Sequence, residues 1–274
     1  MKEDQRKQLT KATFDAVSEG YDSGALRFFS DSAQCMVDYL KGPGIARVLD
    51  VATGTGNLAL EIARNLPGTH VTGIDFSAGM LSRARVKSAG LSNVEFLEMD
   101  MEALEFPDDY FDAVVCAFGI FFVVDIVSQL KHLRSKIRPG GKIVISGFYE
   151  DAFQPLIELF SRRLESYGVE RPSLAWKRIA TERLSRGLMG DAGFTKIHVY
   201  RKDLGYYLKD AAEWWQLVWN AGLRSQLNQL SAENLEGFRT EHLAEIDALR
   251  TPEGIRLNMK ILFTIGVKER SEEK

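Results

Sequence analysis

The chain of 274 residues has only two cysteines, Cys35 and Cys116, far apart and outside any Cys-x-x-Cys or cysteine–histidine cluster. This excludes a disulfide framework and a structural zinc site, and predicts free thiols in a reducing compartment. Long apolar runs are missing as well. The longest, Ala113 to Val124, is closed by Asp112 and Asp125, whereas a bilayer span needs about 20 apolar residues, so no membrane span is expected. The amino end, Met1-Lys2-Glu3-Asp4-Gln5-Arg6-Lys7, lacks the apolar stretch of a secretory signal, and the protein reads as cytoplasmic. With 35 Lys and Arg against 38 Asp and Glu, no excess of positive charge draws the chain to a phosphate backbone. A nucleic-acid partner is therefore not expected, and a small molecule is.

What is present is alternation. Between residues 46 and 148, short strand-like runs alternate with longer helical ones, the pattern of a parallel sheet covered on both faces. Strands are expected at Arg47–Val51, His70–Asp75, Asn93–Leu97, Phe111–Ala117 and Lys142–Phe148. The helix from Asn57 to Leu66 ends at Pro67-Gly68, one from Ser77 runs to Gly90, and one from Asp125 to Arg138 stops at Pro139-Gly140-Gly141. Helices near 152–167 and 177–191 lead to a sixth strand, Phe194–Tyr200. Arg256–Lys268 alternates as a last strand, with a helical stretch, 210–250, interrupting the hairpin between them. The expected organisation is an N-terminal helical segment over 1–45, a core over 46–203 and 255–268, and a helical cap inserted at 204–254.

The informative stretch is Val48-Leu49-Asp50-Val51-Ala52-Thr53-Gly54-Thr55-Gly56-Asn57. Glycines between a strand and a helix let a ligand approach the backbone closely. Gly54 to Ala59 also fits the G-x-G-x-x-A dinucleotide pattern, with Asp75 placed as a ribose acid, so an NAD(P)-dependent oxidoreductase is a rival reading. Asp50 distinguishes the two ligands, because a carboxylate at the strand exit repels a pyrophosphate and suits a ligand carrying positive charge. Asp75 ends the second strand and Asp100 follows the third, which lines three acids along one edge of the sheet. That row matches the ammonium, ribose diol and adenine amino group of S-adenosylmethionine.

At this point the sequence resembles a family. Phe14-Asp15-Ala16-Val17 with Tyr21-Asp22, the loop Val48 to Gly56, Gly73-Ile74-Asp75-Phe76-Ser77 with Met80-Leu81, Met99-Asp100-Met101, Phe106-Pro107, Phe111-Asp112 and Arg138-Pro139-Gly140-Gly141-Lys142 are similar to class I S-adenosylmethionine-dependent methyltransferases of the type 11 group, which includes ubiquinone and menaquinone biosynthesis methyltransferases. The resemblance implies an α/β, Rossmann-like, seven-stranded mostly parallel sheet of order 3-2-1-4-5-7-6, helices on both faces, and S-adenosyl-L-methionine as methyl donor with S-adenosyl-L-homocysteine as product. It implies that Gly54 and Gly56 face the methionine moiety, Asp75 the ribose, Phe76 and Met80 the adenine faces, and Asp100 with the Met101 amide the adenine edge. Tyr21 closes the pocket, and Asp50, Ala52 and Ala117 complete the cofactor set. Two departures stand out: Ala52 fills the place of a first glycine, and Phe121-Phe122 stand where the quinone enzymes carry an arginine–asparagine pair.

No catalytic base is evident in the sequence, and no metal triad. Cys116 lacks the preceding proline of a pyrimidine-type nucleophile, and no Asn-Pro-Pro-aromatic motif follows the fourth strand. Aromatic residues are plentiful: Phe118 and Phe121 near the sheet edge, and Tyr206, Trp214, Trp215 and Trp219 in the insert. These are the candidate substrate contacts, with packing of the insert as the alternative. The expected activity is methyl transfer to a small, partly apolar acceptor. Besides the oxidoreductase, a non-catalytic S-adenosylmethionine-binding module stays open.

Overall fold

The computed structural model describes residues 3–171 and 173–270, which form two compact units. One, comprising 29–150, 175–202 and 261–270, is built on a seven-stranded sheet; the other gathers 3–28, 151–171, 173–174 and 203–260.

The strands of the sheet unit are β1 (Arg47–Val51), β2 (His70–Asp75), β3 (Val94–Glu98), β4 (Phe111–Ala117), β5 (Ile137–Phe148), β6 (Thr195–Asp203) and, after two short strands of the other unit, β9 (Lys260–Val267). Their spatial order is β3-β2-β1-β4-β5-β9-β6, the expected order with β9 as the seventh core strand. β1 to β5 pair in parallel and β9 runs antiparallel to β5. β4 is buried on both faces from Phe111 to Cys116, as its continuous apolar run requires. Its helices are α2 (Phe28–Leu40), α3 (Asn57–Asn65), α4 (Ala78–Lys87), α5 (Ile126–Lys136) and α7 (Glu182–Asp191). Ser77 caps α4 by accepting from the Met80 amide, and Asp125 caps α5 by accepting from Ser128. At the amino edge, Asp112 accepts from the amides of Ala46 and Arg47, both at 2.7 Å, and so ties β4 to β1.

The second unit contains α1 (Glu3–Val17), α6 (Leu156–Ser166), α8 (Ala211–Trp219), α9 (Arg224–Leu227) and α10 (Ala232–Asp247), with a small antiparallel pair, β7 (Tyr206–Leu208) and β8 (Ile255–Leu257). Phe160 of α6 meets Phe238 of α10 edge-on at 5.7 Å, and both are fully buried.

The boundaries differ from the expected ones in two respects. The segment 1–45 is divided near residue 28, and the insert is joined by α1 and α6. Packing between α6 and α10, which are distant in sequence, causes the second difference and leaves no local sequence signal. The expected last strand also breaks in two at Asn258 and Met259, where Asn258 donates to the Asp151 carbonyl and accepts from the Phe153 amide.

Candidate functional site

The carboxyl edge of β1, β2 and β4 holds the site. After Val51 the backbone turns through left-handed conformations at Ala52 (φ 55°), Gly54 (φ 56°) and Gly56 (φ 82°) before α3 begins. Glycine enters this region freely, whereas alanine does so at a cost of about 1–2 kcal/mol. Gly56 also has little room for a side chain, because a Cβ there would lie 3.0 Å from both Ala84 and Phe96.

Asp75, at the end of β2, organises the loop. Its Oδ2 accepts from the Gly54 amide at 2.8 Å and its Oδ1 from the Ser77 amide at 2.9 Å. The carboxylate thus joins the glycine turn to the cap of α4. Asp100 follows β3 and accepts from the Glu102 amide at 2.9 Å. The carbonyl of neighbouring Met101 accepts from the Gln129 amide side chain at 2.6 Å, so Met101 is fixed against α5. Phe76 is half-buried. Met80 is 1% exposed and belongs to the core under α4; the expectation that it covers an adenine face gives way to a packing role.

Asp50 also departs from expectation. It is 1% exposed, and its Oδ2 accepts from the Thr53 hydroxyl at 2.6 Å. Among the described residues its Oδ1 has no partner of normal hydrogen-bond geometry, the nearby Ala59 N–H assisting only weakly. Burial raises its pKa to about 7, despite the Thr53 bond. A carboxyl so enclosed shapes the turn from beneath and is not placed to meet a ligand's ammonium.

On the far side of the turn, β4 exits through Ala117 into Phe118 (φ 55°) and Gly119. Aromatic rings gather there, Phe122 against Phe121 at 4.9 Å among them. Phe118 meets Phe29 at 5.2 Å and Phe148 at 4.7 Å, Phe121 meets Phe148 at 6.3 Å, and Phe148 meets Trp176 at 5.8 Å. Phe118 and Phe121 are in the sequence-based set. Phe148, at the end of β5, was legible as an edge residue; Phe29 and Trp176 arrive from distant helical turns with no pattern to announce them.

The remaining candidates lie in the second unit. Tyr21 is half-buried and packs edge-on to Phe14 at 6.3 Å. The Tyr206 hydroxyl donates to the Ala25 carbonyl at 2.6 Å, with the Arg27 guanidinium over its ring. Trp215 stacks on Trp219 at 5.6 Å. Trp214 is fully buried and donates from its indole N–H to His242 Nε2 at 2.8 Å, so it is a core residue of its own unit and not a substrate contact.

Among the described residues the histidines are not gathered at the edge. Burial, reinforced by Asp50, pushes the Cys116 thiol up to about 12, so it holds its proton at neutral pH. Of the four histidines, all described, His70 opens β2 at the amino edge, His132 lies in α5, His198 in β6 and His242 in α10. Among the described residues no group of three or more His, Cys, Asp or Glu side chains is arranged to hold a metal ion, and no helix is long and apolar enough to cross a membrane.

Residues 48–141 match a family model described as a methyltransferase domain. The chain is 45% identical over 125 residues to the ubiquinone/menaquinone biosynthesis C-methyltransferase UbiE of Geobacter sulfurreducens, covering 44% of this chain and 47% of that protein. It is 32% identical over 204 residues to the UbiE of Xanthomonas oryzae pv. oryzae, covering 67% and 77%. The chain spans about half the length of several of the curated relatives it matches. Among solved structures, the YcgJ protein of Bacillus subtilis superposes with a TM-score of 0.59 at 19% identity, over 88% of this chain and 99% of that one. At that identity the likeness establishes the fold.

Proposed function

The chain belongs to the class I S-adenosylmethionine-dependent methyltransferases of the UbiE type, and from that premise we propose that it transfers a methyl group from S-adenosyl-L-methionine to a small, partly apolar acceptor. The observation that carries the reading is the left-handed turn at Ala52, Gly54 and Gly56, bound to Asp75 at the carboxyl edge. When bound, the donor supplies a methyl group already activated on a sulfonium, so the protein needs no covalent intermediate.

The residues present fit such a donor. A turn with glycines at two of its three left-handed positions leaves backbone open to close approach. Asp75 accepts from the Gly54 and Ser77 amides, which fixes its carboxylate at the edge where a ribose diol would lie. Asp100 and the pinned Met101 supply a polar edge, and Phe76 an aromatic face. Asp50 contributes from below, by holding Thr53 and with it the turn.

On the acceptor side, Phe118 and Phe121, 7% and 4% exposed, form a close-packed apolar wall at the sheet edge. Such a wall excludes water and orients a ring, which is most of what an activated methyl group requires of its enzyme. The relatives named as ubiquinone/menaquinone biosynthesis C-methyltransferase and demethylmenaquinone methyltransferase favour a quinone-type acceptor and favour methyl transfer over nicotinamide chemistry.

Calorimetry with S-adenosylmethionine, S-adenosylhomocysteine and NADPH tests the donor: the first two bind and the third does not. Transfer of labelled methyl to reduced quinone precursors, phenols and amines then tests the acceptor. Absence of binding by either adenosyl compound overturns the proposal. Binding without transfer to any class supports the non-catalytic module instead.

A further inference from the structure

The chain returns to the sheet unit at Ala175 in a short 3-10 turn, Ala175–Ile179, seated by two buried side chains. Trp176 lies edge-on to Phe148 at 5.8 Å. Ile179 fills the space over Gly147, where an added Cβ would come within 2.5 Å of its Cδ1. Both contacts fix the turn to the end of β5.

Arg178, between them, reaches the loop that leaves β4. Its two terminal nitrogens donate to the carbonyls of Phe121, Val123 and Val124, all within 3.4 Å. These carbonyls close and follow the 3-10 turn Ile120–Phe122, where backbone acceptors have run out of helical partners. The loop is also held at its ends: the Phe118 amide donates to the Ser146 carbonyl at 3.2 Å, and Asp125 caps α5. Arg178 supplies the hold between.

We propose that Arg178 is a positioning residue for the acceptor. By gathering three carbonyls it sets the backbone carrying Phe121, and with it the aromatic wall that a flat acceptor ring would meet. Its hydrogen bonds go to the loop after β4 and not to the glycine turn, so donor affinity does not depend on it. The inference rests on the methyltransferase reading and deepens it. A planar guanidinium fork meets several acceptors at once, which a single ammonium does not reproduce, and Arg178 is exposed, so water replaces its bonds to the fold more readily than it replaces loop order.

The test compares the full chain with Arg178→Gln and Arg178→Lys. Hydrogen exchange of amides 119–124 is expected to quicken about tenfold in Arg178→Gln and less in Arg178→Lys, with amides 52–57 unchanged. S-Adenosylhomocysteine affinity should stay within about twofold. In its presence, binding of 1-naphthol and 1,4-dihydroxynaphthalene should weaken about tenfold in Arg178→Gln, a 1.4 kcal/mol change. Unaltered exchange over 119–124, a loosened loop with unaltered naphthol binding, or wild-type protein that binds neither ring each overturns the inference. Loss of S-adenosylhomocysteine binding in the wild type overturns the methyltransferase reading instead.

Discussion

A methyl group on Gly119 would come within 2.6 Å of the Ala52 Cβ and 3.0 Å of the Cys116 sulfur. The glycine turn and the loop after β4, one assigned to the donor and one to the acceptor, therefore meet at a point with space for a single Cβ. Ala52 occupies it at the expense of a left-handed backbone.

Gly119→Ala should destabilise the chain by about 1–3 kcal/mol, the usual cost of overpacking. Ala52→Gly should be neutral or stabilising by up to about 1 kcal/mol, because relief of the left-handed penalty outweighs glycine's added freedom when unfolded. In the double variant most of the Gly119→Ala loss should be recovered, a coupling of about 1 kcal/mol or more measured by denaturant unfolding. Strict additivity would show that the two loops do not share this space.

Asp75→Asn keeps the size of the side chain but loses its charge and one acceptor, so S-adenosylmethionine affinity should fall by about 1.5–3 kcal/mol, roughly ten- to a hundredfold. Asp75→Ala should in addition strand the Gly54 and Ser77 amides and lower stability by about 1–3 kcal/mol for each. Calorimetry on folded Asp75→Asn with wild-type affinity would remove Asp75 from the donor site.

Asp50 ties stability to pH. Its folded pKa, about 7, lies above the ordinary value of 3.8, so between these values the folded chain holds a proton that the unfolded chain releases. Its contribution is fully present below about pH 4 and is lost as pH rises through about 7. Asp50→Asn keeps an acceptor for Thr53 and abolishes this dependence, so its stability relative to wild type should climb from pH 5 to pH 8. A constant difference across that range in urea titrations would contradict the buried, protonated carboxyl.

His242 works in the opposite direction. Burial holds it down to about 4, against the pull of Glu245, and its Nε2 must stay unprotonated to accept from Trp214. Its Nδ1 lies 3.6 Å from Glu245 Oε2, beyond a hydrogen bond, while Glu245 is engaged with Arg163. This contribution is fully present above pH 6.5 and lost as pH falls through about 4. Trp214→Phe should cost about 1–3 kcal/mol near neutral pH by leaving Nε2 buried without its donor. A smaller loss would make the pair incidental to the packing of α8 on α10.

The sheet was readable because its signals are local. Apolar runs such as Phe111–Ala117 and breakers such as Pro67-Gly68 mark elements wherever they fold, and parallel strands bring their exits to one edge, which placed Asp75 and Asp100 together. Burial at the site was not readable. Nothing in the letters separates Asp50, enclosed and paired with Thr53, from Asp75, whose two oxygens hold backbone at the edge. The aromatic residues show the same limit from the other side. Trp214 and Phe118 look alike as candidates and both are buried; only the partner of each, a histidine on α10 or a phenylalanine at the end of β5, separates the core of one unit from the wall at the sheet edge. Arg178 carried no signal, because its three acceptors lie more than fifty residues upstream.

The pair β7 and β8 makes the insert a cassette with a narrow neck. The Leu204 amide donates to the Met259 carbonyl at 2.8 Å, and Tyr206 to Leu208 pair with Leu257 to Ile255, so the chain leaves and returns at adjacent points. Segments of different length could be exchanged between Lys209 and Gly254 without shifting the register of β9 on β5, since closure entropy grows slowly with length. What such an exchange must preserve is a cover for α6. Phe160 and Leu164 are fully buried, and removal of α10 would turn part of that face to water, so the cassette can change in length but cannot dispense with an apolar helix inside it.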